Sequence, residues 1–303
     1  MVVEAAIQAA HPLDPLSPAE IESAVAILRR DRGVDERFRF VSLAVQEPPK
    51  GSVRAYQPGD RIDRRAFAVV LDREKAEAYE AVVSLSEGRV ASWEPVPGMQ
   101  PSLSFAEFFE CEEAVKADPR WQEALRKRGI EDFSLAMVDP WSAGYYGDED
   151  DDLRGRRLSR ALTWVRSSAN DHGYAHPVQN VVAIVDLNAR QVIRIEDYGV
   201  VPVPTADHNY TAEAAGEREG LKPLEIVQPE GPSFELRGHQ LSWQKWKMRV
   251  GYTPREGLVL HTVSYTDGGR ERPILYRASI SDMVVPYGDP RPGYFRRNAL
   301  RPR

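Results

Sequence analysis

Twice along the chain a Ser-x-x-Glu box opens an apolar-faced helix and is followed by strand-like runs that end in a hairpin. This doubled order constrains the fold more than any single motif. In the first copy, Ser17 caps a helix in "LSPAEIESAVAILRR", Pro18 takes the first helical position and Glu20 completes the box. Ile21, Ala24, Val25 and Leu28 recur at three and four residues, which gives one face to bury. "RFRFVSLAVQ", "RRAFAVVLD" and "AYEAVVSLSEGRVASWE" then read as strands, the last turning near Glu87-Gly88. After the break at "PVPGMQPS", "SFAEFFECEEAVKA" opens with Ser104 and Glu107, and "DPRWQEALRKRG" adds an Asp118-Pro119 start and a Gly129 stop. Strands are expected at "FSLAMV", "RRLSRALTWVRS" and "VVAIVDLNARQVIRIED", with a turn around Asn188. The reading is an α+β chain built from two copies of one unit, each a helix on an antiparallel sheet.

Beyond the turn-rich "VPVPTADHNYTAEAAGEREG" the character becomes all strand: "SFELRG", "QLSWQKWKMRVGYT", "GLVLHTVSYTDGG" and "RPILYRASISDMVVPYG", with a hairpin at Asp267-Gly268. Alternation along one continuous strand places Trp243, Lys245, Lys247 and Arg249 on one face and Trp246, Met248 and Val250 on the other. The expected organisation is a first α+β domain over 1–97, a second over 98–205, a linker over 206–227, a β domain over 228–290, and an aberrant or disordered tail over 291–303.

Chemistry-bearing motifs are sparse. Forty Lys and Arg against 46 Asp and Glu give a net charge of −6, which argues against a phosphate-neutralising surface and so against nucleic acid as partner. No signal peptide and no run of about eighteen apolar residues is seen, so the expectation is a cytoplasmic protein without a membrane span. Cys111, the single cysteine, lies between Glu110 and Glu112 and reads as structural. The acidic run Asp148 to Asp152 lacks the alternating spacing of a calcium loop and reads as a solvated connection. The six histidines are His11, His172, His176, His208, His239 and His261, and none stands two residues from another, the spacing that would put a ligand pair on one strand face. His172 and His176 in "DHGYAHP" read as parts of a packed loop. No phosphate-binding glycine loop, nucleophile elbow or paired-cysteine motif appears.

"QPEGPSFELRG", "REGLVLHTVSY" and "RPILYRASISDMVVPYGDP" resemble the opening of the catalytic domain of copper-containing primary amine oxidases, and "YAHPVQN" and "DYGVVPVP" resemble the small domain before it. The resemblance runs over about residues 15 to 290. It implies two cystatin-like α+β domains followed by the first strands of a large β-sandwich. It also implies a parent protein that converts primary amines, O2 and water to aldehyde, ammonia and hydrogen peroxide. Copper and topaquinone, a quinone made from one of the protein's own tyrosines, serve as cofactors, and the family forms homodimers.

The family's proton-abstracting aspartate, its quinone tyrosine and its copper histidines would all fall beyond residue 290. After Gly288-Asp289-Pro290 the chain departs from the pattern: Tyr294-Phe295 follows after too short a spacer and reads as a chance match to the family's Tyr-Phe-Asp segment, and Arg296, which comes next, is a guanidinium that cannot abstract a proton. Asn209-Tyr210 is followed by Thr211 in place of the acid of the quinone motif. No catalytic, cofactor-binding or metal-binding residue is therefore assigned. The chain alone is expected to carry neither copper nor topaquinone and to be inactive, truncated inside its catalytic domain, with a tail such as a frameshift would produce. A non-catalytic structural or partner-binding fragment is the alternative. By position Trp141, Tyr174 and Phe108 resemble residues of the family's substrate channel; as ordinary structure, Trp141 and Tyr174 would cover domain seams and Phe108 would sit in a helix core.

Overall fold

The first capping box closes as its spacing predicts. Glu20 N donates to Ser17 Oγ at 3.3 Å and Ser17 N to Glu20 Oε2 at 2.8 Å, which satisfies two amides at the start of α1 (Pro18–Arg32). Gly33 ends the helix at φ 63°, a left-handed conformation that glycine adopts without steric penalty. The computed structural model that shows this describes residues 9–143, 153, 155–206, 209–280, 284–291, 293–294 and 298–300. The acidic run 148–152 and His208 lie outside them, as do Phe295 and Arg296.

Two compact units make up the chain: Met1–Pro101 with Glu225–Met283, and Ser102–Leu224 with Val284–Arg303. In the first unit, β1 (Phe38–Val45), β2 (Arg65–Asp72), β3 (Glu77–Ser84) and β4 (Arg89–Val96) form an antiparallel meander in chain order. Alternate residues Ala66, Ala68 and Val70 of β2 and Ala81 and Val83 of β3 bury against Ala24, Ile27 and Leu28 of α1. A short helix absent from the sequence reading, α2 (Lys50–Ala55), links β1 to β2.

The same unit holds a five-stranded meander of β9 (Phe234–Arg237), β10 (Gln240–Trp243), β11 (Trp246–Thr253), β12 (Gly257–Asp267) and β13 (Arg270–Ser279). Here one expectation is corrected. "QLSWQKWKMRVGYT" is not a single strand, because Gln244 takes φ 52° and folds it into a hairpin that sets Trp243 opposite Trp246. Val259, His261 and Val263 of β12 are buried, while Phe234, Leu236, Tyr252, Leu258 and Ile274 are exposed.

The second unit repeats the plan. The Ser104–Glu107 box opens α3 (Phe105–Ala117), and Asp118 caps α4 (Pro119–Arg126) by accepting the amides of Arg120 and Trp121. Both helices cover β5 (Ala136–Ser142), β6 (Leu158–Val165), β7 (Pro177–Asp186) and β8 (Gln191–Asp197), again antiparallel in chain order. Trp121, fully buried, donates its indole N–H to Thr163 Oγ1 at 3.0 Å, so its polar atom is satisfied inside the core. "FSLAMV" also needs correcting. Phe133–Leu135 is a 3-10 turn started by the Asp132 carboxylate, which accepts Ser134 N at 2.9 Å, and the strand runs on through Pro140. β5 is an edge strand, where a proline removes no ladder hydrogen bond.

α5 (Ala212–Ala215) is a single turn in the connection that follows. Past it, β14 (Val284–Pro286) pairs with β15 (Asn298–Leu300), a strand inside the segment read as an aberrant tail.

Candidate functional site

The second sheet has two unlike faces. Ala136, Val138, Ala161, Val181, Ala183 and Val185 bury against Cys111 and Val115 of α3 and Trp121 and Leu125 of α4. On the opposite face Trp141 and Trp164 pack around Leu153, Leu162, Val182 and Ile184. Alternation along β5 brings Met137, Asp139 and Trp141 to this outer face, where they pair across to Trp164, Leu162 and Arg160.

Tyr174 reaches the same face from the 3-10 turn Gly173–Ala175. Its hydroxyl donates to Asp139 Oδ2 at 3.0 Å, and its ring meets Trp164 edge-on with centroids 5.3 Å apart. Gly173 seats the turn: a Cβ there would overlap the Met137 sulfur and lie 2.9 Å from Arg166 Cγ. Tyr287 packs its ring 5.6 Å from that of Trp141, and Gly293 is buried beside Asn180 and Tyr198. Further along, Glu196 accepts from Arg160 at 2.8 Å, Arg194 at 3.1 Å and Tyr198 Oη at 3.1 Å. Burial holds the Asp139 carboxyl above the ordinary range; the Tyr174 hydroxyl opposes this and Glu112 adds to it. Burial, and then the charge of Asp139, raise the Tyr174 phenol.

Trp141 and Tyr174 thus lie on one face of the sheet, with Asp139, two residues from Trp141 along β5, bonded to Tyr174, while Phe108 does not join them. It lies on α3, on the other side of the sheet, and is 39% exposed. Asp139 was missed in the sequence because the expected strand ended at Val138; extended by three residues, alternation pairs it with Trp141. Indole and phenol rings grouped around a half-buried carboxylate suit an organic cation, whose charge the ring faces and the carboxylate both attract.

The histidine loop is held by ordinary hydrogen bonds. His176 lies between Asp171 Oδ2, 3.2 Å from Nε2, and the Pro204 carbonyl, 2.7 Å from Nδ1. The amide of Ser167 and then Asn209 hold the Asp171 carboxyl well below its usual range, with His176 adding to the effect. Asn209 also accepts the His172 amide at 2.8 Å, and Tyr210 is 82% exposed beside the His172 ring. Cys111 is buried, and burial pushes its thiol up to about 12. Among the described residues no three His, Cys, Asp or Glu side chains group so as to hold a metal ion, so these residues offer no copper donor set. No described helix is long and apolar enough to cross a membrane.

Three family models match consecutive stretches: "AGAO-like N2 domain" over 17–93, "Copper amine oxidase, N3 domain" over 106–214, and "Copper amine oxidase, enzyme domain" over 235–301. A primary amine oxidase of Arthrobacter sp. (strain P1) is 48% identical over 299 residues, which are 98% of this chain and 45% of that protein. The peroxisomal copper-containing diamine oxidase 1 of Nicotiana tabacum is 41% identical over 97% of this chain and 43% of its own length. The crystal structure of a copper-containing benzylamine oxidase from Hansenula polymorpha superposes with a TM-score of 0.79 at 27% identity, covering 96% of this chain and 47% of that one. The chain therefore spans about half the length of the curated relatives it matches.

Proposed function

Because the chain belongs to the copper amine oxidase family, we propose that it forms the amine-facing, amino-terminal part of a primary-amine oxidase that converts RCH2NH2, O2 and H2O to RCHO, NH3 and H2O2. Copper and topaquinone supply the redox chemistry in such an oxidase. What these residues contribute is recognition: the rings of Trp141, Trp164 and Tyr174 exclude water, and Asp139 draws the ammonium group toward them. The observation that carries this reading is the convergence of Trp141, Asp139 and Tyr174 on one sheet face. The finer attributes belong to the same proposal: cystatin-like α+β domains, a cytoplasmic site and a homodimer.

These 303 residues by themselves are proposed to be inactive. No two histidines stand two residues apart, and the one Asn-Tyr pair, Asn209-Tyr210, is followed by Thr211. The test is to purify the chain, incubate it with copper and oxygen, and measure bound copper, quinone absorbance and peroxide released from benzylamine. Absence of all three is expected; one tightly held copper per chain with peroxide release would sink the claim. For the recognition role, titration with benzylammonium should quench tryptophan fluorescence, and Asp139→Asn should weaken binding by about fivefold to tenfold, the order expected on losing one charge-assisted contact. Equal affinity in the variant would remove Asp139 from the site.

A second reading, a non-catalytic fragment that docks on a partner, is favoured by the apolar exposure of the five-stranded sheet, where Leu236 is 56% and Ile274 52% exposed. Peroxide release by the chain mixed with a separately expressed carboxy-terminal part of a relative would support assembly of an enzyme over this reading.

A further inference from the structure

Residues 10–14, ahead of the first helix, are tied down by an unusual density of contacts. Tyr56, just past α2, donates its hydroxyl to the Ala10 carbonyl at 2.9 Å and meets the His11 ring edge-on at 5.2 Å. Leu13 N donates to His11 Nδ1 at 3.1 Å, and His11 N donates to Asp14 Oδ2 at 2.9 Å. Arg249 of β11 closes on the other oxygen of Asp14, so the segment is fastened to the five-stranded sheet as well as to its own domain. Pro12, Leu13 and Asp14 are buried.

A backbone N–H can only donate, so His11 Nδ1 must be the acceptor and its ring must be neutral in this arrangement. The charged and titratable groups around that ring are Asp14 on its own segment, Tyr56 at the end of α2, Arg249 on β11 and His261 on β12. Behind His261 stand Glu47, 3.8 Å from its Nε2, then Arg277 and Glu256. His261 is itself buried, and its Nδ1 has no hydrogen-bond partner among the described residues. Gly251 leaves room for that imidazole, since a Cβ there would lie 3.1 Å from its Nε2. Thr262 beside it sits at φ 48°, a conformation that disfavours a β-branched residue and here accompanies the irregular register of β12.

We propose that residues 10–14 are an acid-released strap. A proton on His11 Nδ1 removes the acceptor that holds the Leu13 amide and places a second positive charge beside Arg249, so the segment lets go of the sheet. Burial first, and then Arg249, hold His11 down to about 4, against the opposing charge of Asp14. A histidine lowered in the closed state takes up its proton when the strap opens, so closure is favoured at neutral pH and lost progressively as pH falls from about 6.5 toward 4. Burial lowers His261 too, with Glu47 opposing, so it resists a proton for the same reason.

The measurement is hydrogen exchange of a peptide spanning residues 9–16 in the whole chain, corrected for the intrinsic pH dependence of exchange. The core strand at 66–72 serves as internal reference. Linkage from those two pKa values gives protection about twentyfold lower at pH 5 than at pH 7 for the strap, with the reference unchanged. His11→Asn, whose carbonyl oxygen accepts the same amide without titrating, should flatten the difference. Unchanged strap protection in the native chain, or an equal loss in His11→Asn, overturns the proposal. If that variant does not fold, exchange in the native chain decides alone: a strap protection about twentyfold lower at pH 5 than at pH 7, with strand 66–72 unchanged, sustains the strap, and equal protection at the two pH values overturns it.

Discussion

Asp139 occupies its place at a cost to folding. Its carboxyl is raised by burial, so the native state holds its proton to higher pH than the unfolded chain does, and stability falls as pH rises through that window. Asp139→Asn should therefore raise the melting temperature at pH 7 and leave it nearly unchanged at pH 3, even while it weakens ammonium binding. Tyr174→Phe should push the Asp139 titration further the same way. It deletes the hydrogen bond that favours the charged form, so the Asp139 carboxyl, followed by carbon-13 NMR, should titrate still higher. Gly173 belongs to the same local argument. Its φ is ordinary, and what demands glycine is the closeness of Met137 and Arg166. Gly173→Ala should cost about 1–3 kcal/mol, the range of overpacking in a filled site, and should shift the near-ultraviolet circular dichroism of the Trp164–Tyr174 pair.

Each copy of the α+β unit locks its helix start with the same pair of residues. In the first, Arg64 Nε donates to Glu20 Oε1 at 2.7 Å and its Nη2 to the Pro15 carbonyl at 2.7 Å. In the second, Arg157 Nε donates to Glu107 Oε1 at 2.7 Å and its Nη2 to the Ser102 carbonyl at 2.9 Å. Both carbonyls stand two residues before the capping serine, and both arginines immediately precede the second strand of their sheet. Burial pushes Glu107 up, but Arg157 and Ser104 together hold it below its ordinary value, as Arg64 and Ser17 do for Glu20. Arg157→Met strands a buried carboxylate and should cost about 3–5 kcal/mol in urea unfolding. Adding Glu107→Gln, which keeps an acceptor for the capping box, should restore at least half of that; a double variant no better than the single one would show that the guanidinium matters through packing instead. The capping serines and glutamates were legible in the sequence because their spacing is fixed by one helical turn. The arginines were not, since 44 residues separate Arg64 from Glu20 and no local rule spans that gap. The Gln244 hairpin was hidden for a different reason: it lacks the Asn-Gly or Gly-Gly signal that usually marks a left-handed turn.

At the scale of the molecule, chain order and packing order part company. Sequence reading placed residues 228–290 after two finished domains, yet Glu225–Met283 forms one compact unit with Met1–Pro101. Periodicity reports which face of an element is apolar and not which distant element covers it, so this pairing was not legible. Ion pairs record it: Arg277 of β13 spans Glu47 at 3.0 Å and Glu256, and Arg249 closes on Asp14. Glu256, bound first by Arg277 against the penalty of burial, is held down to about 2. Its contribution is therefore complete above the ordinary carboxylate range near 4.5 and lost as pH falls toward 2. Removing residues 225–303 would leave Asp14 and Glu47 without their arginines and take away the Tyr276 ring that Lys50 lies over. The fragment 1–224 should consequently be about 2–4 kcal/mol less stable in its first domain than the whole chain, read by hydrogen exchange of the core strand 66–72, the scale expected for breaking partly buried ion pairs. Arg277→Met in the intact chain should reproduce a part of that loss, because it breaks the link to Glu47 and leaves the sheet in place. Equal stability of fragment and whole chain would mean that the first domain is complete in itself and that the ion pairs orient the sheet without stabilising its neighbour.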